Sequence, residues 1–340
     1  MRDSARLAHA VMSEYGPVRS RRGELSLDLD KRIAWPDGRA FAFTIFDDTD
    51  RATLENVAPV YDFLGGLELR TTKSVWPLEP GDGAAHQGTS CEDPEYLSWT
   101  LDLQRHGFEI GYHGAASSTA SREKVIRALD SFRGHYGHDP LSMANHPLSG
   151  ESIYWGADRV SAIHRQIYRA LTWPNVPSRQ AFRGHRAGDP LFWGDICIQR
   201  VRYVRNFTFS QTNTLAACPS MPYHDPKRPY VAAWFAASEG AEVNAFNSSI
   251  SEVNQDRLES EGGACIIYTH FAYGFSESTD LQPRFKELMG RLARKNGWFV
   301  PVATLLDYLA AQRGVTVLTT AGRHSLERAW FRSKLRVGHT

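Results

Sequence analysis

The sequence has few cysteines, almost no net charge and no long apolar run. The four cysteines are scattered without a CxxC pair, so we expect free thiols of a reducing compartment. A formal net charge of +1 gives no reason to expect a nucleic-acid partner. No apolar run could cross a bilayer, and residues 1–16 lack the apolar core of a secretory signal. These absences predict a cytoplasmic protein.

Short apolar runs instead alternate with segments of helical spacing. Residues 40–46 form a continuous apolar run, which is typical of a strand buried on both faces. Further strands are predicted at 69–77, 108–113, 141–146, 201–209, 230–235, 264–270 and 298–302, and helices at 50–64, 94–104, 121–136, 157–171, 281–296 and 303–312. This alternation predicts a parallel sheet, and the number of units predicts a distorted (β/α) barrel of the α/β class.

Three regions follow from this pattern. Residues 1–39 are polar and arginine-rich and are predicted to be a loosely packed arm. Residues 40–312 carry the barrel, although 174–230 has no clear period. Residues 313–340 form a basic tail with interleaved apolar residues. We expect this tail to pack on the barrel as an amphipathic appendage, and the alternative is a docking face for an anionic partner or a membrane surface.

Potential metal ligands follow four of the predicted strands. Asp47 and Asp48 come after the first strand, and His113, His146 and His270 each end a later one. An Asp pair alone usually caps a helix, and a single His is usually structural. Residues just past the carboxyl ends of parallel strands converge on one face. Together, carboxylate and imidazole groups at that face predict a site for a zinc-like ion.

At these residues the sequence resembles the NodB-like polysaccharide deacetylases, over roughly residues 40–310. Thr44-Ile45-Phe46-Asp47-Asp48 is similar to the family's strand ending in Thr-Phe-Asp-Asp, with one residue inserted, and Ile267-Tyr268-Thr269-His270 is similar to its late strand ending in His. The resemblance implies that Asp47 is the general base and Asp48 a metal ligand. It also implies that His270 is the general acid.

The second family motif, His-Ser/Thr-x-x-His, is incomplete, because His113 is followed four residues later by Ser117. We expect His146 to supply the missing ligand, since neighbouring strands lie about 5 Å apart. The alternative is that Ser117 leaves a site with two protein ligands and poor metal affinity. The arginine that the family carries after its fourth strand is not clearly present, and Arg183 is a candidate for its place.

Other segments could shape a substrate site. Residues 86–96 could form a lid or an ordinary surface loop. Asp195, after Trp193, could hold a histidine from behind or serve a turn, and Tyr223 and His224 could bind hydroxyl groups or belong to a rigid turn.

We therefore expect a metal-dependent hydrolase, most simply with Zn²⁺, that removes an acetyl group from a carbohydrate, either an N-acetylated sugar or a glycan precursor. The lack of an export signal favours a small or lipid-linked substrate over a finished wall polymer. Two alternatives remain. One is hydrolysis of a non-sugar amide or imide on the same barrel, and the other is a non-catalytic glycan-binding barrel.

Overall fold

A closed ring of seven parallel strands forms the centre of the protein. The computed structural model describes residues 33–80, 88–172, 181–277 and 280–337. The ring follows the order β1-β2-β3-β4-β5-β7-β8 and closes where β8 pairs with β1. The strands of the described residues are β1 Phe41–Asp47, β2 Thr72–Val75, β3 Glu109–Tyr112, β4 Ser142–Met143, β5 Tyr203–Phe209, β6 Tyr223–His224, β7 Ala233–Ser238, β8 Ala264–Thr269, β9 Ser276–Glu277, β10 Asp280–Leu281, β11 Gly297–Phe299 and β12 Thr316–Val317. The predicted barrel is confirmed.

Helices follow most strands of the ring. They are α1 Leu54–Gly66, α2 Pro94–Arg105, α3 Arg122–Tyr136, α4 Arg165–Thr172, α5 Gly194–Arg200, α6 Thr214–Ala217, α7 Val243–Ser249, α8 Glu252–Glu261, α9 Pro283–Ala293, α10 Val302–Arg313 and α11 Thr320–Val337. Helix α3 begins where the sequence indicates, because the Ser121 side chain accepts a hydrogen bond from the Lys124 N–H.

Strand β1 is buried along its whole length and organises the site. It pairs with β8 over six residues, from Ala42 beside Ala264 to Asp47 beside Thr269. Its last residues also pair with β2, which places Lys73 beside Asp47. A strand buried on both faces needs an unbroken apolar sequence, and residues 40–46 supply one. The parallel register brings the ends of β1, β2 and β8 to the same rim.

One predicted helix is divided. Residues 157–171 were expected to form one helix, but 3₁₀ turns at Gly156–Arg159 and Ala162–His164 precede α4. The break lies at Ser161, whose N–H and hydroxyl donate to the carboxylate of Glu327 in α11, at 2.7 and 2.5 Å. The local pattern could not reveal this break, because the partner lies in the C-terminal helix.

Both terminal segments pack on the barrel where they are described. Trp35 is buried, and its Nε1 donates to the Gly262 carbonyl at 3.0 Å, whereas residues 1–32 of the predicted arm lie outside the described residues. In the tail, α11 buries Trp330 and Phe331. Arg323 of the same helix donates to Asp225 at 2.9 Å, so part of the basic charge is neutralised within the protein.

The four cysteines Cys91, Cys197, Cys218 and Cys265 are buried and free, as expected. No helix in the described residues has both the length and the apolar character needed to span a membrane.

Burial of Glu151 gives a testable effect on stability. Its side chain is 3% exposed, and this burial raises the pKa of Glu151 to about 7 against backbone hydrogen bonds that lower it. The folded state therefore keeps a proton that the unfolded chain, with a pKa of 4.5, releases. Stability should fall as pH rises from 4.5 to 7, by about 3 kcal/mol from this group.

We expect Glu151→Gln to lose this pH dependence. Urea unfolding at pH 4.5 and pH 8 should show that the variant gains about 3 kcal/mol relative to wild type at the higher pH. The expectation fails if the difference between the two proteins is the same at both pH values.

Candidate active site

Carboxylate and imidazole side chains converge at the carboxyl ends of β1, β3, β4 and β8. Asp48 and Asp50 follow β1, His113 follows β3, and His270 follows β8, each within three residues of the strand's end. His146 lies three residues past the end of β4. The sequence order predicts this convergence, because parallel strands end at one rim.

Asp50 lies at the centre of this group, because its carboxylate contacts all three histidines. Its Oδ1 lies 3.2 Å from His146 Nε2 and 3.5 Å from His113 Nε2. Its Oδ2 lies 3.2 Å from His270 Nε2. The two histidine rings on the Oδ1 side, His113 and His146, have centroids 5.5 Å apart. Strand β4, which pairs with β3, thus places His146 next to His113.

The rings are held from behind. His270 Nδ1 donates to the Ala241 carbonyl at 2.7 Å, which leaves Nε2 facing Asp50. His146 Nδ1 lies 3.1 Å from Ser149 Oγ. Trp76 packs edge-on against His146 at 5.7 Å, and its Nε1 donates to the His113 carbonyl at 3.2 Å. Fixed Nδ1 atoms set the ring orientation, so the Nε2 atoms of His146 and His270 are available to Asp50 or to a ligand.

The carboxylate of Asp48 forms an ion pair with an arginine. Arg205 of β5 donates through both terminal nitrogens to the two oxygens of Asp48, at 2.8 and 2.5 Å. The guanidinium also lies over the rings of Tyr268 and Phe46, at 4.5 and 5.2 Å. Asp48 remains near the histidines, since His113 Nδ1 and His270 Nε2 are each 3.9 Å away.

Asp47 is sealed into the wall of the barrel. Its Oδ2 lies 2.9 Å from Lys73 Nζ and accepts from the Tyr61 hydroxyl at 3.1 Å. Its Oδ1 accepts from the Phe271 N–H at 2.9 Å, and the side chains of Asp47 and Lys73 are both 0% exposed. A carboxylate with these partners has no face open to a substrate, so the geometry does not favour the role of general base expected for Asp47.

The surroundings of Asp50 and His270 shift the pKa values of both side chains in the direction that favours their charged forms. Burial favours the neutral acid, but the neighbouring imidazoles of His113, His146 and His270 outweigh it and lower the pKa of Asp50. Burial likewise favours neutral His270, but Asp50 and Asp48 raise the pKa of this ring. For Asp48, burial is outweighed by Arg205, so its pKa is lowered.

The donor set is chemically suited to a divalent ion. Asp50 Oδ1 and both ring nitrogens of His113 are buried without a hydrogen-bond partner. Ligand atoms bound to one tetrahedral zinc stand about 3.4 Å apart, close to the 3.2 and 3.5 Å separations around Asp50 Oδ1. In the described parts of the chain, however, no group of three or more His, Cys, Asp or Glu side chains could hold an ion as it stands. Binding would require these side chains to move closer around the ion.

Three expected substrate residues, Arg183, Trp193 and Asp195, make their contacts outside the cluster around Asp50. Arg183 faces Asp189 at 3.7 Å and does not contact Asp48, the place taken by Arg205. Trp193 is buried, and its Nε1 donates to the Glu151 carbonyl at 2.7 Å. The carboxylate of Asp195, which could have held a histidine or served a turn, instead pairs with Arg122 at 2.6 and 2.8 Å.

Tyr223 and His224 lie at the opposite end of the barrel. Tyr223 pairs with Trp234, near the amino end of β7, and both residues of β6 are buried. Their hydrogen bonds are to Asn206 and to the backbone at 231 and 232. These contacts favour the alternative that both residues belong to a rigid turn over the binding of hydroxyl groups.

The segment 86–96, which could form a lid or a surface loop, is anchored to the turn after β1 and to Trp76 where it is described, from residue 88. Thr89 N–H donates to the Ala52 carbonyl at 2.7 Å, and Cys91 N–H donates to the Trp76 carbonyl at 2.9 Å. Asp93 caps α2 by accepting from Tyr96 N–H. This segment therefore supports the turn after β1.

Asp50, Lys73 and Arg205 lie in the site although no sequence motif identified them. A signal existed for Asp50, since three acidic residues in four positions exceed what one helix start needs. Helix α1 in fact uses none of them as its cap, which is a capping box of Thr53 and Asn56. Lys73 and Arg205 had only a weak signal, a cation within a strand otherwise expected to be buried.

Comparisons with known proteins show the fold. A protein from Mycobacterium smegmatis assigned as a polysaccharide deacetylase superposes with a TM-score of 0.51 at 11% identity, over 85% of this chain and 96% of that one. PuuE allantoinase superposes with a TM-score of 0.49 at 11% identity, over 83% of this chain and 94% of that one. The peptidoglycan deacetylase PdaC of Bacillus subtilis gives 0.38 at 13% identity, over 87% and 99%.

The chain therefore shares its (β/α) barrel fold with the Mycobacterium smegmatis protein, and at 11% identity this likeness shows the fold alone. No protein-family model matches the sequence, and neither does any curated protein.

Proposed function

We propose that the protein is a metal-dependent hydrolase that removes an acetyl group from an N-acetylated sugar or glycan precursor. The observation that carries the proposal is the contact of one carboxylate, Asp50, with three histidines from three strands. The NodB-like fold supports it, because that rim is where parallel barrels carry their active sites. In keeping with the sequence, we expect a cytoplasmic enzyme that uses Zn²⁺.

Asp50, His113 and His146 form the proposed ligand set. The Nε2 atoms of His113 and His146 both face Asp50 Oδ1. Neither Asp50 Oδ1 nor His113 Nε2 has a hydrogen-bond partner among the described residues. This set replaces the one expected from the resemblance, in which Asp48 was the carboxylate ligand. Both Asp48 oxygens are engaged by Arg205, whereas Asp50 Oδ1 has no such partner.

An ion in this position supplies polarisation of the acetyl carbonyl and a lowered pKa for water. Asp48, oriented by Arg205, is the proposed base that accepts a proton from the attacking water. His270 is the proposed acid that gives a proton to the departing nitrogen, since its Nδ1 is fixed on Ala241 and its Nε2 faces the rim. Water adds to the carbonyl carbon, the C–N bond breaks, and acetate and an amine leave.

The test combines metal removal with acetate release. We expect the purified protein to release acetate from an N-acetylglucosamine derivative, to lose that activity after dialysis against a chelator, and to regain it with Zn²⁺ or Co²⁺. His270→Asn should bind the ion but lose about 10²- to 10⁴-fold in kcat.

Two outcomes would redirect the proposal. Hydrolysis of simple amides or cyclic imides, with none of acetylated sugars, would place the activity in the non-sugar alternative. Binding of chitooligosaccharides without turnover at any metal concentration would support the non-catalytic alternative.

A further inference from the structure

Arg51 is an exposed cation directly beside the proposed reaction centre. It follows Asp50 in the sequence, and its guanidinium lies over the ring of Tyr273, with 5.7 Å between Cζ and the ring centroid. Tyr273 in turn stacks on His270, with ring centroids 4.5 Å apart and planes inclined by 22°. Arg51, Tyr273 and the proposed acid therefore form one layered stack at the rim.

The backbone holds Arg51 in a conformation that arginine rarely adopts. Its φ is 57°, in the left-handed region, which costs roughly 1–2 kcal/mol for a residue with a side chain. The Asn56 side chain donates to the Arg51 carbonyl at 2.9 Å. On the other side, Gly88 packs so closely that a Cβ there would lie 3.1 Å from Arg51 N and 2.9 Å from Ala52 N. The strained turn is held on both sides, and it therefore fixes the position of the Arg51 backbone from which the side chain extends.

Arg51 has no acidic partner within ion-pairing distance among the residues that the structure describes, whereas the rim carboxylates are engaged by Arg205 and the histidines. Guanidinium groups bind phosphate and carboxylate with two parallel hydrogen bonds. An exposed guanidinium stacked on an aromatic ring is available for an anion of the substrate.

We propose that Arg51 is a specificity-determining residue that binds an anionic group of the substrate. This inference rests on the proposed function and narrows its substrate class to N-acetylated sugars that carry a phosphate or carboxylate near the acetamido group. The stack places that anion next to Tyr273, whose ring packs on His270.

A matched pair of substrates tests the inference. The probes are N-acetylglucosamine 1-phosphate and its neutral methyl glycoside, assayed for acetate release at low and high salt. We expect wild type to show a KM roughly tenfold lower for the phosphate, a difference equal to about 1.4 kcal/mol, and the advantage should shrink at high salt. Arg51→Gln should raise the KM for the phosphate to that for the neutral sugar, and Arg51→Lys should restore part of the advantage.

Arg257→Gln is the matched control, because Arg257 is an exposed arginine on α8 and its loss changes net charge equally. It should leave the preference for the phosphate sugar intact.

Equal KM values for both sugars in wild type, or an equal loss of the preference in both arginine variants, would overturn the inference while leaving the proposed deacetylation in place. Absence of acetate release from either sugar would count against the proposed function and this inference together, and direct binding of the phosphate sugar would then separate them. Arg51-dependent binding without turnover would uphold anion recognition alone.

Discussion

Asp50→Asn is expected to lose both the bound ion and more than 10³-fold of the hydrolytic activity. Asp50 is the one carboxylate in contact with His113, His146 and His270 in the described site. The amide side chain of asparagine has a shape similar to that of the aspartate carboxylate, but it carries no charge and is a poor ligand for zinc-like ions. Metal content by elemental analysis and acetate release by a coupled assay would measure both losses.

Asp48→Asn is the matched control for this substitution. It removes the same charge two residues earlier, where the carboxylate is held by Arg205. We expect it to keep about one equivalent of metal while losing activity as a base variant would. The assignment is wrong if Asp48→Asn releases the ion and Asp50→Asn retains it, since that pattern belongs to the ligand set implied by the family motif.

Lys73→Met is expected to lower the free energy of unfolding by about 3–5 kcal/mol, because it strands the buried charge of Asp47. The two side chains are fully buried and 2.9 Å apart. Burial disfavours the charged amine, but Asp47 outweighs it and raises the pKa of Lys73. Chemical denaturation of the variant and of wild type at neutral pH measures the loss.

A double-mutant cycle with Asp47→Asn separates a structural pair from a catalytic residue. Each single variant should destabilise the protein, and the Lys73→Met/Asp47→Asn double variant should recover much of the loss, because no unpaired charge is left buried. If Asp47 were the general base, Asp47→Asn would abolish activity while leaving stability nearly unchanged. That result would return Asp47 to the role expected from the sequence.

The fold could be predicted because its signals are local. The apolar run at 40–46 became β1, and the strands before His113 and His270 end within one residue of the expected positions. Each strand needs only its own sequence to be recognised, and the parallel arrangement follows from the helices between them. Convergence of the strand ends then follows from topology.

The assignment of roles among Asp47, Asp48 and Asp50 could not be predicted in the same way. Successive side chains of a strand point to opposite faces. Phe46 and Asp48 both contact Arg205, so they share the inner face, whereas Asp47 points to Tyr61 of α1. A motif match cannot fix this alternation when one residue is inserted, because an insertion exchanges the two faces.

Long-range partners explain the remaining differences. Arg205 lies 157 residues from Asp48, and Glu327 lies 166 residues from the Ser161 that it binds. Both arginine and glutamate are ordinary surface residues in a sequence pattern, so the sequence around them does not identify the residues with which they pair. The basic tail illustrates the same point, since Arg323 is paired inside the protein while Arg328 is exposed.

The position of a bound ion tests the central claim most directly. Crystals grown with Co²⁺ and measured at the cobalt absorption edge should give one anomalous peak about 2.0–2.2 Å from Asp50 Oδ1 and from the Nε2 atoms of His113 and His146. Asp48 should remain paired with Arg205 in the same map. A peak bound by Asp48 with Arg205 displaced, or no peak at this rim at saturating cobalt, would contradict the account.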